Sequence, residues 1–210
     1  MEGLLIVVSG FSGVGKGTLM KALLNRYPDE YALSISATSR KPRDGEEEGR
    51  EYFFKTREAF ESLIQNDALV EYAVYNGNYY GTPKEYVERM RSEGKNVILE
   101  IEMQGGMQIK AKYPEALLLY VIPPSGEVLK KRLTGRGTET REEIRKRLKR
   151  AVEETEYITK YDEITVNDDF ETCLNEIHEL ILKRQEEMTE RKAAASRLYE
   201  ELKKITEEEN

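Results

Sequence analysis

The sequence predicts a three-layer α/β protein with a central, mostly parallel β-sheet. Apolar stretches rich in β-branched residues recur along the chain and alternate with helical patterns. The first of these stretches runs directly into a glycine-rich turn, which a helix follows. Two segments of different composition interrupt the alternation. With 210 residues, the chain is long enough for one sizeable core with inserted lobes.

The spacing of apolar residues predicts the strands and helices in order. Strands are expected at residues 4–8, 96–101, 117–122 and 163–166, and the first three are apolar throughout, as buried parallel strands are. Two helices begin with the pattern of a capping box, in which Thr82 or Thr140 precedes a glutamate by three positions. Helices are predicted at about 17–26, 83–93, 105–112, 125–134 and 140–159, with a long one from about 170.

Two segments depart from this alternation. Residues 34–82 are rich in arginine, tyrosine and glycine, with short strand-like pieces and one helix near 57–65, which predicts an inserted α+β lobe. Within about residues 132–150, closely spaced arginines surround two glycines and predict a mobile lid. The predicted organisation is a core of residues 1–33 and 83–184, the lobe of 34–82, and a C-terminal helical extension of 185–210.

The extension has residues on a repeat of three and four positions, which is typical of an amphipathic helix. Apolar members of this repeat are Met188, Ala195, Leu198, Leu202 and Ile205. Such a helix could dock on the core, pair with a second copy of the chain, or form a charged and partly frayed tail. The sequence leaves these alternatives open.

Composition limits the functions open to the chain. The net charge of −7 does not favour a uniformly basic surface for nucleic acid. Cys173 is the single cysteine, so an internal disulfide is excluded and a reducing compartment is favoured. His178 is the single histidine, which leaves little basis for a histidine metal site. Since no apolar run approaches the ~20 residues of a membrane span, we expect a soluble, cytoplasmic protein without a membrane partner.

The glycine-rich turn predicts a phosphate-binding loop. Residues 10–16 match the pattern G-x-x-x-x-G-K, whose glycines let backbone N–H groups turn inward around an anion. Lys16 adds a positive charge, and the dipole of the following helix points at the same place. Gly17 stands where a hydroxyl residue commonly holds Mg²⁺, and Thr18 supplies a hydroxyl one position later, so we expect Thr18 to touch a phosphate. The predicted ligand is a nucleoside triphosphate.

Candidate residues for a second anionic substrate lie in the predicted lobe. Arg40 and Arg43 flank a proline that stiffens the turn, so their guanidinium groups could grip one phosphate together. A solvated basic loop is the alternative. Glu71 lies among apolar residues, where a carboxylate could accept two hydrogen bonds from guanine that adenine cannot donate. An exposed strand carboxylate is the alternative for this residue.

Two acids end the predicted strand at residues 96–101. Glu100 and Glu102 are two positions apart, so we expect them to share a strand face at the carboxyl edge of the sheet. There they could hold Mg²⁺, directly or through water, or contact an acceptor nucleotide, while surface carboxylates without either role are the alternative. Arginines of the lid could stabilise the negative charge of a transferring phosphoryl group.

Together these motifs resemble those of guanylate kinase, a family of nucleoside monophosphate kinases of the P-loop class. The resemblance covers about residues 3–184, and its specificity comes from the joint occurrence of the motifs in this order. The matching stretches are residues 10–18, 36–43, 49–52, 71, 77–81, 98–104, 132–138 and 166–169.

The resemblance implies a P-loop NTPase core with a GMP-binding lobe and an arginine-rich lid. The implied reaction is the Mg²⁺-dependent transfer of the ATP γ-phosphoryl group to GMP or dGMP, within purine nucleotide metabolism. Implied ATP-binding residues are Gly10, Ser12, Gly13, Val14, Gly15, Lys16, Gly17, Thr18, Arg132, Arg136 and Asn167. Implied GMP-binding residues are Ser36, Arg40, Arg43, Tyr52, Glu71, Tyr80, Thr82 and Glu100. The implied catalytic residues are Lys16, Arg40, Arg136 and Arg147, and Mg²⁺ is expected at Glu100 and Glu102.

Two other functions compete with this hypothesis. A catalytically silent guanylate-kinase-like module binds phosphorylated partners, but such a module need not retain Gly15, Lys16 or the lid arginines, which this chain has. A kinase for another nucleoside monophosphate is the second alternative, and the guanine-specific role of Glu71 argues against it. The sequence does not decide between a monomer and a homo-oligomer.

Overall fold

The computed structural model describes residues 2–75, 77–135 and 140–208, and it confirms an α/β fold. The strands are β1 (Leu5–Gly10), β2 (Tyr31–Leu33), β3 (Ala37–Thr38), β4 (Phe53–Phe54), β5 (Leu69–Tyr75), β6 (Asn78–Pro83), β7 (Asn96–Leu99), β8 (Leu117–Ile122) and β9 (Glu163–Val166). The helices are α1 (Lys16–Arg26), α2 (Arg57–Gln65), α3 (Lys84–Ser92), α4 (Met103–Lys112), α5 (Gly126–Thr134), α6 (Arg141–Ile158) and α7 (Phe170–Glu208).

Five parallel strands of the described chain form the larger sheet, in the order β2-β7-β1-β8-β9. Residues 5–9 of the central strand β1 are all buried, because side chains on both faces of the sheet are covered. Val7 pairs with Leu99 of β7 and with Leu118 of β8. The loop after β1 therefore lies beside the segment after β7, at the edge where α/β proteins bind ligands.

The smaller sheet has the order β4-β3-β6-β5 and mixes parallel and antiparallel pairs. It has its own small apolar cluster of Ala37, Phe60 and Leu69. Phe60 belongs to α2, whose first turn is capped by the hydroxyl of Thr56. The α+β character predicted for this segment is thus confirmed, and its sheet is separate from the five parallel strands.

Local structure differs from the prediction in the strand–helix boundaries. Strand β2 was not predicted, because three residues are too short to show a period. Strand β7 ends at Leu99 rather than at residue 101, and α4 begins at Met103 rather than at 105. Glu100 and Glu102 therefore lie in the turn after the strand, and the prediction that they share a strand face was wrong.

One of the two predicted capping boxes is present. Thr140 accepts a hydrogen bond from the backbone N–H of Glu143, whose side chain bonds back to Thr140 at the start of α6. Thr82 does not cap α3, because its hydroxyl donates to the buried carboxylate of Glu71, and Pro83 occupies the cap position instead. Arg136, which was predicted to be catalytic, lies outside the described residues.

The last helix, α7, has two halves with different surroundings. Cys173, Ile177 and Ile181 are buried against the main core, whereas every side chain from residue 191 to residue 205 is exposed. Exposed apolar side chains in the second half include Leu198, which is 56% exposed. No helix in the described part of the chain has both the length and the apolar character needed to cross a membrane.

Candidate active site

The loop between β1 and α1 has a backbone shape that only glycines permit at two positions. Gly15 has φ 101°, in the left-handed region, and a Cβ there would lie 2.8 Å from the side-chain nitrogen of Asn167. A Cβ on Gly10 would lie 2.3 Å from the carbonyl oxygen of Val121 in β8. The loop is therefore pressed closely onto the sheet, with the N-terminus of α1 directly behind it.

Lys16 is drawn inward over this loop. Its Nζ donates a hydrogen bond of 2.6 Å to the carbonyl oxygen of Gly10. Burial lowers the pKa of Lys16, while the nearby carboxylates of Glu100, Glu102 and Glu154 oppose that shift. An anion in the loop would act in the same direction as these carboxylates and would favour the charged form of the lysine.

Side chains from α5, α6 and the end of β9 surround the loop. Nη1 of Arg147 donates to the hydroxyl of Ser12 at 2.7 Å. Nη2 of Arg132 donates to the backbone oxygen of Asn167 at 2.9 Å, and the Asn167 amide donates to the backbone oxygen of Val14 at 2.8 Å. These contacts bring three residues with predicted ATP-binding or catalytic roles, Arg132, Arg147 and Asn167, from distant parts of the sequence to one loop.

The two acids after β7 have different partners. Gly17 faces Glu100, because a Cβ on this glycine would lie 3.7 Å from a carboxylate oxygen of Glu100. The Glu100 side chain is accessible to solvent, yet desolvation by neighbouring protein atoms raises its pKa. The positive charge of Lys16 opposes that shift. Glu102 instead forms an ion pair of 2.7 Å with Arg150. Glu100 is thus the acid beside the loop, and Glu102 is engaged with α6.

Sequence reasoning missed Arg150, which connects several parts of the molecule. Its Nε donates to Glu154 at 3.0 Å, and its guanidinium carbon lies 5.8 Å from the ring centroid of Tyr75 in β5. Together with the bond to Glu102, these contacts join α6 to the larger sheet and to the smaller one. The sequence held one signal, since Glu154 follows Arg150 by one helical turn.

Glu71 lies in β5 of the smaller sheet and is buried, with only 4% of its surface exposed. One carboxylate oxygen accepts a 2.7 Å hydrogen bond from the Thr82 hydroxyl, and burial raises the pKa of Glu71. The other oxygen faces α4, where a Cβ on Gly105 would lie 2.9 Å from it. An exposed strand carboxylate, the alternative considered for Glu71, is thereby excluded.

The predicted phosphate arginines lie on the turn after β3. Nη1 and Nη2 of Arg40 form two parallel 3.0 Å hydrogen bonds with the carboxylate of Glu46. The backbone N–H of Arg43 donates to the same carboxylate at 2.8 Å, while the Arg43 side chain is exposed. Glu46 was not predicted to belong to the site, because its partner Arg40 is brought to it only by the folding of this turn.

Tyrosines border Arg40. Its guanidinium carbon lies 5.4 Å from the ring centroid of Tyr52, and the Tyr52 and Tyr80 rings are 5.9 Å apart. The hydrogen bond to Glu46 and, with a smaller effect, the hydrogen bond to Tyr80 raise the pKa of the Arg40 guanidinium. Ser36 is half-buried next to this group and accepts the backbone N–H of Phe53 on its own carbonyl oxygen.

The predicted residues therefore form two groups, one around the loop after β1 and one on the smaller sheet. Within the described ranges there is no cluster of three or more His, Cys, Asp and Glu side chains that could hold a metal ion without further ligands. A cation at this site would need oxygen ligands from elsewhere, as phosphates and water can supply.

Comparison with known proteins gives one consistent result. A sequence model of the family described as guanylate kinase matches residues 2–184. A guanylate kinase from Caldanaerobacter subterraneus subsp. tengcongensis is 48% identical over 181 residues, which are 86% of this chain and 87% of the relative. A crystal structure of guanylate kinase from Anaplasma phagocytophilum superimposes with a TM-score of 0.69 at 30% identity, over 88% of this chain and 87% of that one.

Proposed function

The chain belongs to the guanylate kinase family, and from this premise we propose that it transfers the γ-phosphoryl group of ATP to GMP or dGMP. In this reaction an oxygen of the acceptor phosphate bonds to the γ-phosphorus as the bond to the ADP oxygen breaks, which gives GDP and ADP. The observation that supports a working enzyme over a silent binding module is the intact loop, with Lys16 held over Gly10. A module that only binds partners has no need of this arrangement.

On the donor side, the loop of residues 10–18 cradles the ATP phosphates with its backbone N–H groups. Lys16 exchanges its bond with the Gly10 carbonyl for the terminal phosphates, and the exposed hydroxyl of Thr18 adds a further donor. Arg132 and Asn167, which bracket the backbone of Val14, border the nucleoside. The remaining ATP contacts proposed from the resemblance are those of Ser12, Gly13, Val14, Gly15, Gly17 and Arg136.

On the acceptor side, Glu71 selects guanine. Its carboxylate already accepts the Thr82 hydroxyl, and its remaining lone pairs can accept from the N1–H and N2–H₂ groups of guanine. A base that lacks those donors would leave the remaining lone pairs of a buried carboxylate without donors, which is a strong basis for rejection. The GMP phosphate is held by Arg40, Arg43, Tyr52 and Tyr80. Ser36 contacts the guanine. We propose residues 34–82 as the GMP-binding lobe and residues 1–33 with 83–184 as the core.

Catalysis rests on positioning and on charge. Lys16 and Arg147, both beside the loop, stabilise the negative charge that spreads over the transferring group. Arg40 orients the attacking phosphate, and Arg136 completes the set by resemblance. A general base is not required, because the attacking phosphate oxygen already carries negative charge.

Mg²⁺ fits the chemistry of the residues at the loop. Hard divalent cations prefer oxygen ligands, and Glu100 offers a carboxylate that faces Gly17 and Lys16. We propose that Glu100 would hold the cation, directly or through water, and that Glu102, which is paired with Arg150, would add negative charge to the site. When bound, Mg²⁺ neutralises phosphate charge.

An acceptor panel tests this proposal. The protein is assayed with Mg²⁺ and ATP against AMP, GMP, dGMP, UMP and TMP, and ADP release is measured. We expect turnover with GMP and dGMP and little with the others, because only guanine offers both donors that the Glu71 carboxylate can accept. Preference for another base would overturn the guanine assignment, and ATP binding without any acceptor turnover would instead indicate a binding module.

A further inference from the structure

The carboxylate of Glu46 bonds to both of the predicted phosphate arginines, Arg40 and Arg43, on the turn after β3. Oε1 accepts from Nη2 of Arg40, and Oε2 accepts from Nη1 of Arg40 and from the backbone N–H of Arg43. The Arg40 and Glu46 side chains are only 15% and 17% exposed, so this pair is protected from water more than most surface ion pairs.

The bonds of Arg40 to Glu46 and to Lys41 use three of its five N–H donors, and the other two lie on one edge of the guanidinium group. Nη1 donates to the Lys41 carbonyl oxygen as well as to Glu46, and Nη2 gives one N–H to Glu46. The Nε–H and the second Nη2–H are not used in these bonds, and they lie along one edge of the planar group. Tyr80 also hydrogen-bonds this guanidinium, so a phosphate at this edge would share it with the Tyr80 hydroxyl. Two parallel donors on one edge are the geometry that binds phosphate bidentately.

We propose that Glu46 is a positioning residue for the acceptor phosphate. It binds the Nη1 and Nη2 edge of Arg40 and the Arg43 backbone N–H, so that the Nε and Nη2 edge of Arg40 is directed at GMP. This inference rests on the proposed function, because it names the support of the GMP phosphate site. Hydrogen bonds from Arg40 and from the Arg43 backbone lower the pKa of Glu46, so the clamp is ionised at neutral pH.

The competing possibility is that Glu46 occupies the place of the phosphate and leaves when GMP binds. The two roles predict opposite results. A positioning residue is needed for affinity, so its neutralisation weakens GMP binding. A competitor opposes affinity, so its neutralisation strengthens GMP binding.

The experiment compares Glu46→Gln, Glu46→Asp and the wild type. The glutamine keeps one acceptor oxygen and loses the charge, and the aspartate keeps the charge on a shorter side chain. We expect Glu46→Gln to raise the KM for GMP about tenfold with kcat changed less than about threefold, since charge-assisted bonds to Arg40 are lost while the transfer site is intact. Glu46→Asp should restore part of the affinity.

The matched control is Glu51→Gln. Glu51 lies in the same loop, pairs with Arg50 at 2.6 Å and accepts the backbone N–H of Glu47 at 2.8 Å. Like Glu46, Glu51 thus pairs with an arginine side chain and accepts a backbone N–H, but its partners are Arg50 and Glu47 rather than the phosphate arginines. A loss that is general to this loop would appear in both variants, whereas a positioning effect should appear only in the Glu46 variant.

Calorimetric binding of GMP and of guanosine separates the phosphate from the base. Glu46→Gln should weaken GMP and leave guanosine unchanged. Unchanged or tighter GMP binding in Glu46→Gln, or an equal loss in Glu51→Gln, would overturn the positioning role while leaving the kinase proposal standing. A wild-type protein that binds GMP no better than guanosine would contradict the phosphate site itself, and the role of Glu46 with it.

Discussion

The two phosphate sites proposed for this protein are built from different materials. The donor site is made of backbone, in a loop that lies on a buried parallel strand and depends on glycines at Gly10 and Gly15. The acceptor site is made of side chains on an exposed turn, where Arg40 is held by Glu46. A backbone site is as rigid as the sheet beneath it, whereas a side-chain site is as well ordered as its supporting ion pairs.

This difference has a consequence for function. The donor loop should tolerate little change, because its shape and its charge are both fixed by the core. The acceptor site can be adjusted one hydrogen bond at a time, so substitutions there should alter affinity in steps. The proposed base site departs from this contrast, because Glu71 is buried although it belongs to the smaller sheet.

The largest effect is expected for Lys16→Met on the donor side. Loss of the Lys16 charge at the loop should lower kcat at least about 10³-fold, because the methionine cannot stabilise the transferring group. The fold should be kept, since burial already opposes the charged form of this lysine and lowers its pKa. Steady-state kinetics and thermal unfolding measure the two effects.

Lys21→Met is the control for that substitution, because Lys21 lies on the same helix and is exposed. It should behave as the wild type in both measurements. If Lys16→Met kept more than about a tenth of the wild-type kcat, the charge would not be central to transfer and the contrast between the two sites would fail.

A smaller but selective effect is expected for Glu71→Gln on the acceptor side. Glutamine can accept from Thr82 but cannot accept both guanine donors, so kcat/KM for GMP should fall about 10²-fold while ATP binding is unchanged. Glu88→Gln, an exposed glutamate on α3, is the control and should have no effect. Equal losses of GMP and ATP binding in Glu71→Gln would show that the residue supports the fold rather than the base.

The raised pKa of Glu71 adds a pH dependence with a defined sign. Because burial raises this pKa above 4.5, the folded protein binds the proton more tightly than the unfolded chain, and the cost of the charge appears as pH rises through the raised value. Glu71→Gln should therefore be at least as stable as the wild type at pH 7. In the wild type, KM for GMP should begin to rise on acidification at a pH above 4.5, and the glutamine variant should lack that rise.

The donor site was predictable from sequence because its information is local. The strand, the glycines, Lys16 and the start of α1 are consecutive, so one pattern contains both the structure and the ligand. The burial of Glu71, on which its proposed role depends, was predictable only as one of two alternatives, because burial at 4% depends on packing against α4. The structure was needed to show that the carboxylate is enclosed.

The supporting contacts could not be predicted, for a physical reason. The pair of Arg150 and Glu102 joins residues 48 positions apart, and a charge on a helix face does not indicate which distant acid it will meet. The Thr82 hydroxyl could equally cap α3 or bind a side chain, and the buried carboxylate of Glu71 decided the outcome. Local sequence thus indicates the candidate ligand-binding groups, whereas the contacts that hold these groups in place are seen only in the structure.

The smallest effect is expected at the far end of α7, which neither site requires. The first half of this helix supports the donor side, since Glu171 pairs with Arg26 of α1 and His178 bonds the Tyr31 hydroxyl. A chain that ends after Glu190 loses a stretch whose described side chains, those of residues 191–205, are all exposed, so kcat, KM and the unfolding temperature should stay close to the wild-type values. A chain that ends before Ile181 is the contrasting variant, because this fully buried residue should cost about 2–5 kcal/mol of stability when it is lost. If truncation after Glu190 lowered the unfolding temperature, or changed the number of chains per particle measured by light scattering, the second half of α7 would pack against a partner. The wild-type protein would then be an oligomer rather than a single chain.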